Sequence, residues 1–419
     1  MNFQDELKFQ DRYYRDDPSP RHNLSFAGCG FLGIYHSGVA LCMNRFSPQL
    51  YENKITSGVS AGGIAAACIL CDIDPVDFAP KLFDIFYESK KYFLGPFDPR
   101  YKINEYLREA LDNLLPQDAH LLCTDRLFIS LTCVSNKKNI IVTKYKSRDD
   151  LIHVLLCSAF IPIFSGLIPP SYCGEWVIDG ALSNNMLDIN RNTITVSPFA
   201  GHADICPGGE NDPSYFSDSF MAQFSFSSTL LSINIFNLSR LPNVVFPMSC
   251  DDFIKLAEQG FEDAKRFLLT RGLVKCRIHQ RPNIFTSYHR PSISERKRVR
   301  RASLSCQHKE SKRLSEVQEF AFNNREEETF FNGIIKSYGD EECLSCQQSI
   351  YKAINAQLPE RLIAILKEKE MELLNRSSKC VYESVLEVLL NHMAVLYQRI
   401  SNWLGLPSPL KNIDKYFKL

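Results

Sequence analysis

No stretch of the 419-residue sequence is apolar for the length that a membrane-spanning helix requires. The longest apolar segment, residues 151–170, is interrupted by His153, Pro162, Pro169 and Pro170, and reads as buried protein. Net charge is also lacking. The 48 basic residues balance 48 acidic ones, so bulk charge recruits no polyanionic partner, and nucleic-acid binding is not expected. The first 17 residues, MNFQDELKFQDRYYRDD, have no apolar core of the kind that marks a secretory leader. The 15 cysteines are odd in number and scattered through apolar segments, which argues against an extracellular disulfide framework and for a reducing compartment. The two Cys-x-x-Cys pairs, Cys68/Cys71 and Cys343/Cys346, lack zinc-finger spacing to one another, so no metal site is expected.

What is present begins with Ile55–Gly63, ITSGVSAGG. A short β-prone run meets Gly58-Val59-Ser60-Ala61-Gly62 and then the small, apolar segment Ile64–Leu70. That order predicts a strand, a tight turn and a buried helix, with Ser60 held clear of the backbone as a nucleophile. Gly58 and Gly62 are required because a Cβ at either would collide across the turn. The helix that follows directs its N-terminal N–H groups at charge forming near the serine oxygen.

Upstream, the strand Asn23–Ala27 runs into Gly28-Cys29-Gly30-Phe31-Leu32-Gly33 and a helical pattern through Ile34, Val39, Leu41 and Met43. A dinucleotide loop would use similar glycines, but it needs a second βαβ half and a ribose-binding acid, and only Glu52 falls roughly in place. With a nucleophile elbow as the next strand, the loop reads as an oxyanion hole, chiefly through the N–H groups around Cys29 and Gly30.

Further along, Pro75–Leu115 is helical with breaks at Gly95-Pro96 and Asp98-Pro99. Leu127–Val134 and Asn139–Tyr145 form a hairpin, and Asp149 or Asp150 is expected to cap the next helix. Trp176–Asp179 is a strand ending in an acid, Asn192–Val196 is another strand, and a long helix begins at a cap on Asp251 and ends at Gly272. Residues 276–345 are polar and basic and read as a linker. It contains Arg300-Arg301-Ala302-Ser303, a basophilic-kinase pattern with Ser303 as acceptor. Two helices, about Ala353–Leu374 and Val381–Leu404, close the chain.

A serine nucleophile needs a group to take its proton. Of the downstream histidines, His120, His153, His202, His279, His289, His308 and His392, none sits in a convincing loop after a late strand, and three fall in the linker. A carboxylate at a strand end accepts such a proton directly if the pocket holds it within reach. Asp179 fits that role.

These motifs, in this order, resemble the patatin-like phospholipase family, nearest its adipose triglyceride lipase and adiponutrin branch. The supporting stretches are Ser25–His36, Phe160–Pro170 and Asn192–Pro207, and the resemblance covers about residues 20–275. Leu32 stands where many members carry arginine, and Asp179-Gly180-Ala181 stands where near relatives usually have Asp-Gly-Gly.

The resemblance implies an α/β, patatin-like three-layer α/β/α sandwich. In outline, a polar leader (1–20) precedes the catalytic domain (21–275), the linker (276–345) and a helical C-terminal appendage (346–419). It implies Ser60 as nucleophile, Asp179 as proton acceptor, Gly28, Cys29, Gly30 and Gly33 as the oxyanion loop, and Gly180 and Ala181 as the motif after the base. Neither metal nor nucleotide is required. The activity it implies is hydrolysis of stored neutral lipid, above all triacylglycerol, by a protein moving between cytosol and lipid-droplet surface with an α/β-hydrolase-type activator as partner. Phospholipase A or retinyl-ester hydrolysis, acyl transfer to lysolipid or monoacylglycerol, and a weakly active droplet scaffold that sequesters the activator remain alternatives. Because all three motifs precede residue 200, the tail is expected to be dispensable for chemistry.

Overall fold

The computed structural model describes residues 23–50, 55–189, 193–201, 203–207, 222–226, 229–233, 235–271, 273–274 and 344–376. Ser303, His202, His279, His289, His308, His392, Gly272, the polar leader and the second C-terminal helix lie outside them.

The fold is α/β: a seven-stranded mixed sheet flanked by helices. Strands β1 (Asn23–Phe26), β2 (Thr56–Gly58), β3 (Leu127–Cys133) and β7 (Thr193–Val196) run parallel in the order β3-β2-β1-β7. Their residues are buried in every position, as expected of strands with helices over them. Strands β4 (Asn139–Val142) and β6 (Glu175–Asp179) pair antiparallel with β3, and β5 (Ser171–Tyr172) pairs with β6.

The register on β3 positions the chemistry. Gly58, the last residue of β2, pairs with Ile129, whereas Asp179, the last residue of β6, pairs with Leu131. Strand β4 pairs with Ile129 through Thr132 and so occupies the other edge. Strand β6 therefore takes over the β3 edge where β2 leaves it, and the ends of the two strands converge from opposite directions.

The helices are α1 (Ile34–Phe46), α2 (Ala61–Leu70), α3 (Pro75–Glu88), α4 (Ile103–Leu114), α5 (Ala119–Cys123), α6 (Arg148–Ser158), α7 (Ile235–Arg240) and α8 (Cys250–Thr270). A separate hairpin, β8 (Ala222–Phe226) and β9 (Thr229–Ile233), precedes α7. Helices α1 and α8 pack backbone to backbone. A Cβ on Gly38 would stand 2.0 Å from Ala257 O, and one on Gly260 would stand 2.2 Å from Tyr35 O. Only glycine permits that approach at either position. The Tyr35 hydroxyl closes the same interface by donating to Asp263 Oδ2 at 2.7 Å.

Three expectations need correction. Helix α6 is capped by Ser147, whose hydroxyl accepts from Asp150 N, and α8 by Ser249, which accepts from Asp252 N. Asp149, Asp150 and Asp251 instead occupy the first turns, where their charge meets the positive end of the helix dipole. The helix expected from about Ala353 to Leu374 is, among the described residues, divided into α9 (Leu344–Ile354) and α10 (Glu360–Arg376). Pro359 cannot continue α9 and stands directly before the start of α10. Helix α10 packs on α3 and α8, burying Leu362 and Leu366 completely and pairing Lys369 with Asp84 at 2.7 Å. This part of the tail belongs to the folded body. Among the described residues, no helix is long and apolar enough to cross a membrane.

Candidate active site

The elbow is as tight as its glycines imply. A Cβ on Gly58 would lie 2.4 Å from Gly62 O, and one on Gly62 would lie 2.3 Å from Phe26 O, so the turn closes with backbone against backbone. Between them Ser60 adopts φ 54° and ψ −127°. A non-glycine residue there stores strain of about 1–3 kcal/mol. Helix α2 follows at once with Gly62 N donating to Val59 O at 2.8 Å, and the small side chains Ala65, Ala66 and Ala67 bury it tightly.

The strain is held by two side chains that sequence reasoning missed. Ser158, at the end of α6, accepts from Ser60 N at 2.9 Å, and its own hydroxyl donates to Ser130 O on β3 at 2.8 Å. Asn185 Oδ1 accepts from Gly28 N at 3.0 Å and draws the glycine loop toward the segment after Asp179. No local pattern marks either residue. A serine at a helix end and an asparagine in a loop are commonplace, and only the fold brings them here.

Asp179 lies where the strand-end reading placed it. Its carboxylate is buried and accepts from Ala181 N at 2.8 Å. Burial raises its pKa to about 6, while the bond from Ala181 N and, less, the nearby Ser60 side chain oppose the rise. Gly180 is required by its surroundings, since a Cβ would stand 2.2 Å from Ser130 O.

The glycine loop divides its labour. Gly30 has φ +54°, and a Cβ there would meet Val244 O at 2.1 Å, so the loop turns at this residue against the segment before α8. The N–H groups of Cys29 and Gly30 donate to no acceptor among the described residues, and Gly30 lines the pocket that contains Ser60. In the same loop the Gly28 N–H is committed to Asn185, and Gly33 packs against the elbow helix, where a Cβ would be 3.2 Å from that of Ala61. Burial and, secondarily, the Asp179 charge raise the Cys29 thiol well above its ordinary range, so it remains protonated. His36, fully buried beneath the loop, bonds Ala27 O through Nε2 at 2.9 Å, and its pKa falls to about 4 through burial. It supports the loop as a neutral ring. His153 bonds Ser171 O at 2.9 Å.

Beside Ser60 opens an apolar pocket, continuous with solvent and walled by side chains of α3 and α4, with Phe31, Ile161 and Phe164. Lys81 is the one charged residue among those lining it.

A mixed α/β sheet thus carries Ser60 on a tight turn after β2 and the buried Asp179 at the end of β6, both strands pairing with β3. Residues 24–188 match the family model described as Patatin-like phospholipase. Patatin-like phospholipase domain-containing protein 2 of Homo sapiens is 38% identical over 263 residues, covering 62% of this chain and 50% of that protein. The 1-acylglycerol-3-phosphate O-acyltransferase Pnpla3 of Mus musculus is 38% identical over 261 residues, covering 61% of each. The omega-hydroxyceramide transacylase of Mus musculus is 34% identical over 263 residues, covering 62% of this chain and 42% of that protein. The chain thus spans about half the length of the curated relatives it matches.

Proposed function

We propose that this chain is a serine acyl-ester hydrolase acting on neutral lipid, triacylglycerol above all. The observation that carries the reading is Ser60 on a strained turn at the wall of an apolar pocket, with the buried Asp179 near enough for the serine side chain to influence its carboxylate. In this reading the Ser60 oxygen attacks the ester carbonyl and its proton passes to Asp179. The carbonyl oxygen becomes negative and is held by the N–H groups of Cys29 and Gly30, which are fixed in place beforehand and need no reorganisation. The intermediate collapses, and the leaving alkoxide takes the proton from Asp179. Water then attacks the acyl-enzyme, gives its proton to the same carboxylate, and the fatty acid leaves as Ser60 is reprotonated.

Two of the relatives carry names of acyl-transferring enzymes, which favours one second reading, in which a lysolipid or acylglycerol hydroxyl replaces that water. Both readings share the acyl-enzyme. Fatty-acid release by the purified full chain from triacylglycerol, phospholipid and retinyl ester, with Ser60→Ala as control, tests the proposal. Release from triacylglycerol that exceeds the other two and vanishes in the control is expected. Equal release by the control would end the hydrolase reading, and transfer to added lysolipid at the expense of free acid would favour the second one.

A further inference from the structure

Cys71 and Cys123 are 52 positions apart in the sequence, and their sulfurs lie 3.9 Å from one another. Both are free thiols. Cys71 ends the elbow helix α2, where its N–H donates to Ala67 O at 3.0 Å, and Cys123 is the last residue of α5. Helix ends yield to small shifts more readily than helix interiors. A disulfide bond is about 2 Å long, so the two sulfurs have only about 2 Å left to close.

The two thiols are not equivalent. Cys123 is buried, whereas Cys71 is partly exposed. The contact with Cys123 holds the Cys71 thiol below its ordinary range against the opposing effect of burial; Asp118 also opposes the lowering and Arg126 adds to it. Cys123 is pushed the other way, first by the same contact and then by burial. Cys71 is thus the sulfur that carries charge and meets solvent, and Cys123 is the protonated partner behind it, as in an attacking and resolving pair. Cys68 is buried in α2, and among the described residues no three His, Cys, Asp or Glu side chains are grouped to hold a metal ion.

We propose that Cys71 and Cys123 are a dithiol site that a hydroperoxide oxidises to a reversible disulfide, clamping together the two ends of the segment that walls the pocket. The residues between them carry α3 and α4, whose side chains line the Ser60 pocket. The Cys71 thiolate sulfur attacks one peroxide oxygen, the O–O bond breaks, and the departing hydroxide takes a proton from solvent and leaves as water, with a sulfenic acid on Cys71. The Cys123 sulfur then attacks the Cys71 sulfur and gives up its proton. The S–O bond breaks, and hydroxide leaves with that proton as a second water. The two sulfurs each lose one electron, and the peroxide is reduced by both. A dithiol reductant reverses the bond by exchange. No ester chemistry enters these steps, so the site stands or falls independently of the hydrolase reading.

The test treats the reduced full chain with hydrogen peroxide, blocks the remaining thiols and maps the peptides without reduction. A peptide holding Cys71 should be joined to one holding Cys123, with a mass lower than their sum by two hydrogen atoms. The closed loop should raise the melting temperature by about 5 °C, and dithiothreitol should return both the map and the melting temperature to those of the reduced protein. Cys123→Ala keeps Cys71 but removes its partner. It should show neither the link nor the rise, and should instead hold a sulfenic acid at Cys71 that dimedone traps. The wild-type map decides the question even if that variant folds poorly. Cys71 joined to Cys68 in place of Cys123, a Cys71 that stays open to alkylation after peroxide, or a linked protein that melts no higher than the reduced one overturns the proposal.

Discussion

The backbone N–H of Ser60 donates to the hydroxyl of Ser158 at 2.9 Å, which ties the most strained residue of the elbow to the last turn of α6. Ser158 passes the tie on to β3 through Ser130 O. Ser158→Ala removes the acceptor and leaves a buried donor unpaired, at a cost of about 1–3 kcal/mol. The expected result is a lower denaturant midpoint and a fall in kcat with KM little changed, because the serine is misplaced while the pocket is intact. A variant with unaltered kcat would show that the elbow holds its geometry without this bond.

Acid should silence the enzyme before it unfolds it. In the proposed mechanism Asp179 must be ionised to take the proton, and its pKa is about 6, so kcat/KM should drop about tenfold per pH unit below that value. The stability trend has the opposite sign. The folded pKa lies above the ordinary 3.8, so the contribution is fully present below pH 3.8 and is lost as pH rises through about 6. Asp179→Asn should therefore be more stable than wild type at pH 8 by about 3 kcal/mol, with the difference vanishing near pH 4. Asp263 is shifted to about 6 as well, chiefly by burial, so the comparison is made between the two proteins rather than on either alone.

Gly30→Ala should damage turnover more than binding. The residue sits at φ +54° with Val244 O 2.1 Å from any Cβ, so the loop must shift and its N–H groups with it. In the proposed mechanism those donors meet charge that exists only in the transition state, and losing one costs about 3 kcal/mol. Steady-state kinetics on a variant with wild-type circular dichroism should show kcat lowered by two orders of magnitude or more. Normal turnover would remove the loop from the mechanism.

Truncation after residue 275 should give aggregated or unfolded protein, contrary to the expectation that the tail is dispensable. Helix α10 buries Leu362 and Leu366 on α3 and α8, and α3 forms part of the pocket wall. Each buried leucine contributes about 2–5 kcal/mol relative to alanine. Leu362→Ala with Leu366→Ala in the full chain should lower the melting temperature without changing the elbow. Size-exclusion chromatography and a soluble-ester assay check both, and a monomeric, active truncation would show that α10 is an accessory.

The elbow, the strand-end acid and the glycine loop were legible because each is a local requirement. A turn that closes at Ser60 needs Gly58 and Gly62 next to it, and an acid placed beside β3 needs Gly180 because Ser130 O leaves no room for a Cβ. The caps of α6 and α8 were misread for a local reason too. Serine and aspartate both serve at that position, and both helices offer them within three residues.

By itself the sequence determined which residues are able to perform the chemistry, since residue type, turn geometry and burial pattern act over a few positions. The tertiary structure alone decided which of them meet. Asp179 reaches Ser60 because β6 replaces β2 on one edge of β3, Asn185 occupies the Gly28 N–H that looked free for an oxyanion, and α10 returns from the far end of the chain to cover α3. Strand register, a hydrogen-bond donor's final partner and the docking of a distant helix are set by long-range packing, which no window of neighbouring residues encodes.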